Sequence, residues 1–311
     1  MSATGKQTQA GAAASNADTK KKAPSIPKGK REVKILMLHG YTQSGGLFSS
    51  KTKALSKLLV KALSPLNLHP TLIYPTAPHR LRPSDIPGYQ PPADASAATS
   101  GDDASDHWAW FRKDEATGRY AGFEEGMRAL ARCIEGSGPV DGVLGFSQGG
   151  AVAALVAAAL EVPHRSPPSL PPNPNPSSSP NPPSTTPSPS SPAADPSWPA
   201  LLRAANARRP LRFCVVYSGF YAPAPELQWL YAPPLSTPTL HYLGGLDTVV
   251  EESRSRALVE RCVEPTVLVH PGGHYVPVAK DWVVPLVGWL RQRFVEGEGE
   301  AKGEAKDEES L

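Results

Sequence analysis

Gly142-Val143-Leu144-Gly145-Phe146-Ser147-Gln148-Gly149-Gly150-Ala151-Val152-Ala153-Ala154-Leu155 is the stretch from which the rest of the chain can be read. An apolar run, Gly142–Phe146, ends on a Gly-x-Ser-x-Gly turn. Small apolar residues then continue as a helix candidate, Gln148–Leu160. Strand, sharp turn and helix form the setting in which this pentapeptide lifts a serine hydroxyl above the edge of a sheet. Glycines suit positions 145 and 149, because a Cβ beside so tight a turn would strike the neighbouring strand or helix. The pentapeptide alone is common by chance, and it is the flanking strand and helix that make Ser147 a candidate nucleophile.

Outward from this turn the chain alternates. Strand candidates are Val33–Leu38, Thr71–Tyr74, Leu211–Tyr217, Thr239–Leu243 and Thr266–Val269. They are continuous apolar or β-branched runs, as expected of strands buried on both faces of a parallel sheet. Helix candidates lie between them: Leu47–Leu63, Gly122–Ile134, Trp198–Asn206, Glu251–Cys262 and Asp281–Phe294. This order predicts a doubly wound α/β sheet, and with the Ser147 turn an α/β-hydrolase fold, a mostly parallel central sheet flanked by helices.

A serine hydroxyl needs a base to become a useful nucleophile. In this fold the order along the chain is Ser, then Asp or Glu, then His. His274 stands in Pro271-Gly272-Gly273-His274-Tyr275-Val276-Pro277, a glycine-rich loop after the last strand. His164 borders a proline-rich segment, His241 is mid-strand and His270 ends a strand, so His274 is the candidate base. Leu243-Gly244-Gly245-Leu246-Asp247 ends the preceding strand with an aspartate, which would fix the imidazole tautomer. Glu251 and Glu252 read as favourable charges opening the next helix. An oxyanion needs two backbone N–H donors. Gln148 follows the nucleophile, and Tyr41 lies in the loop His39-Gly40-Tyr41-Thr42-Gln43 after the first strand. His39 reads as structural within that loop. All these loops follow strands, at the edge where open α/β sheets carry their sites. Thr76–Ala121 and Ser218–Pro238 also lie there. Trp108, Trp110, Phe111, Tyr221, Trp229 and Tyr231 within them either line an acyl pocket or anchor long loops.

Composition limits the alternatives. The chain has 311 residues, a formal net charge of +3 and an ordinary apolar fraction of 40%. No basic stripe with interleaved aromatics points to nucleic acid. No run of apolar residues is long enough for a membrane span. Three widely spaced cysteines, Cys133, Cys214 and Cys262, suit buried thiols better than disulfides or a metal site. No cofactor or metal is called for. Residues 1–30 read as a disordered basic arm and 295–311 as a disordered acidic tail, on either side of a hydrolase domain at 31–294. The segment 163–199 holds fifteen of the chain's 36 prolines and reads as a disordered Pro/Ser-rich insertion. It should leave the domain on the edge opposite the site. It is a candidate docking segment for proline-reading protein modules. A cytoplasmic location follows by default, and Lys20–Lys22 leave a nuclear one open.

Several motifs carry a resemblance: Leu36-Met37-Leu38-His39-Gly40-Tyr41, Tyr74-Pro75-Thr76-Ala77-Pro78-His79, Ala109-Trp110-Phe111, the Ser147 turn and His270–Pro277. Through them the chain resembles the FSH family of serine hydrolases over about Lys34 to Leu290. The resemblance implies a triad of Ser147, Asp247 and His274, and esterase or thioesterase activity on small-molecule acyl substrates. The contrasting reading is a non-catalytic ligand- or partner-binding protein on the same scaffold.

Overall fold

The computed structural model describes residues 26–86, 88, 106–167 and 196–308. The arm before residue 26, with Lys20–Lys22, and most of the Pro/Ser-rich segment, 168–195, lie outside the described residues, as do 309–311.

Six strands form one parallel sheet: β1 (Arg31–Leu38), β2 (Leu68–Ile73), β3 (Gly142–Phe146), β4 (Phe213–Tyr217), β5 (Thr239–Gly244) and β6 (Thr266–His270). Their spatial order is β6-β5-β4-β3-β1-β2, with every neighbouring pair parallel. The chain leaves β1 for the edge strand β2 and returns to β3 on the other side of β1. The crevice at the carboxyl ends of β1 and β3 is therefore the switch point at which such sheets bind ligands.

Among the described residues, seven α-helices cover the two faces: α1 (Gly45–Lys51), α2 (Lys53–Leu63), α3 (Phe123–Ser137), α4 (Gln148–Leu160), α5 (Trp198–Ala205), α6 (Glu252–Val259) and α7 (Lys280–Glu308). Successive side chains of a strand point to opposite faces. Val33, Ile35 and Met37 of β1 pack with Phe48, Leu55 and Leu59 of α1 and α2 and with Leu286 and Leu290 of α7. Leu36 and Leu38 point the other way, into the core shared with α3, α4 and α5. Every residue of α4 is buried, so this helix needs no polar face, and its Ala/Val-rich sequence has none.

Several boundaries differ from the sequence reading. The single helix expected at Leu47–Leu63 is two, broken at Thr52. The buried Thr52 hydroxyl bonds to the Phe48 carbonyl at 2.7 Å and to Tyr74 Oη at 2.8 Å, in place of continuing the helix. β2 starts at Leu68 and includes Pro70, which an edge strand tolerates because one of its sides has no ladder to serve. Helical backbone in α7 runs to Glu308, beyond the end expected at Phe294. The Glu, Ala and Lys residues there are good helix formers.

The stems of the Pro/Ser-rich segment are held firmly. Arg165 pairs with Glu161 and donates to the carbonyls of Pro233 and Pro234. Glu161 Oε1 accepts from the Ser236 and Thr237 N–H groups, both at 2.7 Å. These contacts follow the carboxyl end of α4, whereas Ser147 caps its amino end.

Of the buried histidines, His39 lies after β1 and His241 within β5. Burial pushes both imidazoles down to about 4, and the Gly40 carbonyl and Asp106 only partly oppose this at His39. Both rings fold as neutral groups and accept a proton more readily once the chain unfolds. Their contribution is therefore complete above pH 6.5 and is lost as pH falls from 6.5 toward 4. Each should cost about 2 kcal/mol between pH 6.5 and 5. Urea denaturation at pH 7 and pH 5 measures this, and equal midpoints would contradict it.

Candidate active site

Ser147 sits at φ 54° and ψ −119°, in the left-handed region that side chains avoid. Its N–H donates to the Tyr217 carbonyl at 2.8 Å, which locks the turn to β4. The flanking glycines are obligatory here. A Cβ on Gly145 would lie 2.0 Å from Gly149 O, and one on Gly149 would lie 2.2 Å from Leu38 O.

The three side chains singled out for acyl transfer meet at this turn. His274 Nε2 lies 2.9 Å from Ser147 Oγ, and His274 Nδ1 lies 2.7 Å from Asp247 Oδ2. Asp247 Oδ1 accepts from the N–H groups of Val249 and Val250, both at 2.9 Å. Burial pushes the Asp247 carboxyl up, but the bonds from His274 and Val250 and the imidazole's charge outweigh burial and hold it below its ordinary value. The aspartate is thus an anion whose free oxygen faces the imidazole. The loops that carry the two residues pack back to back: a Cβ on Gly244 would lie 2.5 Å from Gly273 O, and Leu246 N–H donates to Gly272 O at 3.0 Å. Phe146 lies against the His274 ring, 4.8 Å between centroids.

The two residues expected to supply oxyanion donors line the cleft that Ser147 opens onto. Gln148 is the first residue of α4, so its N–H has no partner within the helix. Tyr41 lines one cleft together with Ser147 and Gln148. The Tyr41 loop is tied down through His39. His39 Nε2 accepts from Ala77 N–H at 3.0 Å, which leaves Nδ1–H to donate to the Gly40 carbonyl at 2.8 Å. Trp110 Nε1 donates to the His39 carbonyl at 2.9 Å. The Gln148 side chain has a role that the sequence reading missed. Its Oε1 accepts from Trp110 N–H and its Nε2 donates to Phe111 O, each at 2.8 Å, so it clamps the Ala109–Phe111 segment beside the site.

Two clefts open from Ser147 and His274. The larger, about 440 Å³, has apolar walls that include Phe111, Tyr120, Phe220 and Val250. The smaller, about 260 Å³, is lined by Phe48, Phe146, His274, Tyr275 and Val276. Of the aromatics weighed from the sequence, only Phe111 lines either cleft. Trp110 and Tyr231 are core, and Trp229 lies tilted against Trp198. Tyr120, Phe220 and Val250 come from three separate stretches of the chain, and no local pattern marks them.

A profile of the family described as serine hydrolase (FSH1) matches residues 29–286. The chain belongs to this serine hydrolase family. Family of serine hydrolases 2 of Saccharomyces cerevisiae is 30% identical over 83% of the chain and 97% of its own length. Esterase OVCA2 of Danio rerio is 30% identical over 79% of the chain and 91% of its own length. A Schizosaccharomyces pombe protein named dihydrofolate reductase is 31% identical over 79% of the chain, but the match spans only 44% of that protein. Among the described residues of this serine hydrolase, no helix is long and apolar enough to cross a membrane.

Proposed function

We propose that this serine hydrolase cleaves carboxylic ester and thioester bonds of small acyl substrates through an acyl-enzyme. Ser147 attacks the carbonyl while His274 Nε2 takes its proton, and Asp247 holds the imidazole and steadies the imidazolium. The Tyr41 and Gln148 N–H groups receive the oxyanion. His274 then protonates the departing alcohol or thiol and draws a proton from the water that releases the acid. The observation that carries this reading is the unbroken chain Ser147–His274–Asp247 at the mouth of an apolar cleft. The esterase name of the zebrafish relative supports the same bond class.

A fluorophosphonate probe tests it. The wild-type chain should be labelled within minutes, and Ser147→Ala, folded to the same circular dichroism spectrum, should stay dark. A folded wild type that resists the probe would point instead to a ligand-binding protein. Matched acyl esters and thioesters then rank the two bond types.

A further inference from the structure

The two clefts differ in which end of a substrate they can hold. His274 must deliver its proton to the leaving atom, so the leaving group departs on the side that His274 lines, over Phe48, Tyr275 and Val276. The acyl chain then occupies the larger cleft, beside the Tyr41 and Gln148 amides. Its walls near Ser147 are apolar, but its outer rim carries Arg112, Lys113 and Arg254. Two of these cations are already matched. Arg112 lies 3.6 Å from Asp85, and Lys113 lies 2.7 Å from Glu115.

Arg254 differs from both. Its guanidinium lies over the Phe220 ring, 4.6 Å from the centroid, and no ion pair with a carboxylate of the described residues occupies it. Its carbonyl accepts from Tyr221 N–H at 3.2 Å, which fixes the backbone at the rim. A guanidinium stacked on a ring keeps its N–H edge free and aimed, the geometry that receives a planar carboxylate through two parallel bonds.

We propose that the preferred acyl group ends in a second acid: the substrates are monoesters or monothioesters of dicarboxylic acids, with the distal carboxylate on Arg254. This rests on the acyl-transfer reading above. The methylene chain lies along Phe111, Phe220 and Val250, and Ser147 cleaves the near carbonyl.

Mono-4-nitrophenyl esters of succinic, adipic and suberic acid are compared with 4-nitrophenyl butanoate, hexanoate and octanoate. In the wild type the best diacid should exceed its equal-length monoacid in kcat/KM by about tenfold, a gap that narrows as salt is raised. Arg254→Gln should remove the advantage, Arg254→Lys should keep part of it, and Lys113→Gln should leave the ratio within about twofold. Turnover of monoacid esters with no diacid advantage overturns the proposal, and so does a ratio unchanged by Arg254→Gln. Loss of the ratio in Lys113→Gln alone overturns the assignment to Arg254. If no ester is turned over and the fluorophosphonate fails to label, the acyl-transfer reading itself falls, and the substrate class falls with it.

Discussion

Asp247→Asn should lower kcat/KM toward an activated aryl ester by about four powers of ten, and His274→Ala by about six. The asparagine is the more instructive of the two. Its carbonyl oxygen can keep the bonds from Val249 and Val250 N–H, so the loop holds its shape. The other position, now an amide NH2, faces His274 Nδ1 across the 2.7 Å gap. It can only donate, so Nδ1 must become the acceptor and the ring proton moves to Nε2. A protonated Nε2 cannot take the proton of Ser147 Oγ, 2.9 Å away. The site would be intact in shape and wrong in tautomer. The double variant Asp247→Asn/His274→Ala should be no slower than His274→Ala alone, because an aspartate that acts only through the imidazole has nothing left to act on. A loss under tenfold in His274→Ala, with the protein folded, would mean that another group removes the proton.

The candidate catalytic side chains of this serine hydrolase were more legible than its pocket, for a physical reason. The residues proposed to react sit on turns that directly follow strands, and such turns have strict backbone needs that glycine meets and sequence displays. Gly145 and Gly149 bracket Ser147, Gly244 and Gly245 precede Asp247, and Gly272 and Gly273 precede His274. The strands showed themselves through unbroken apolar runs, because both faces of the sheet are covered. The cleft has no such local signature. Tyr120, Phe220 and Arg254 converge from distant stretches, and each alone reads as an ordinary aromatic or surface charge. The side-chain clamps were hidden for the same reason. Nothing beside Gln148 in the sequence says that its amide will bridge Trp110 and Phe111, or beside Thr52 that its hydroxyl will end a helix against Tyr74. Local constraint leaves a local mark, whereas constraint set by packing does not.

Gly149→Ala should destabilise the fold by about 3 kcal/mol or more, although it adds one methyl group and favours helix by propensity. Gly149 is the second residue of α4, pressed against the end of β1. The added carbon would lie 2.2 Å from Leu38 O and 2.5 Å from His39 O, and both are backbone atoms that no rotamer change can move. Relief requires α4 and the Leu38–His39 segment to separate. That motion works against the buried core between the sheet and α4, and against the His39 bonds to Gly40 and Ala77. It also shifts Gln148, whose N–H is proposed to receive the oxyanion, so any folded fraction should show reduced kcat. Gly288→Ala is the matched control. It is the same substitution in α7, on an exposed face with nothing within 4 Å of the new carbon. There the gain in helix propensity is unopposed, and stability should rise by about 0.5–1 kcal/mol. Urea denaturation of the two variants separates close approach from propensity: opposite signs are expected, and a Gly149→Ala protein as stable as wild type would show that β1 and α4 are not in the contact described.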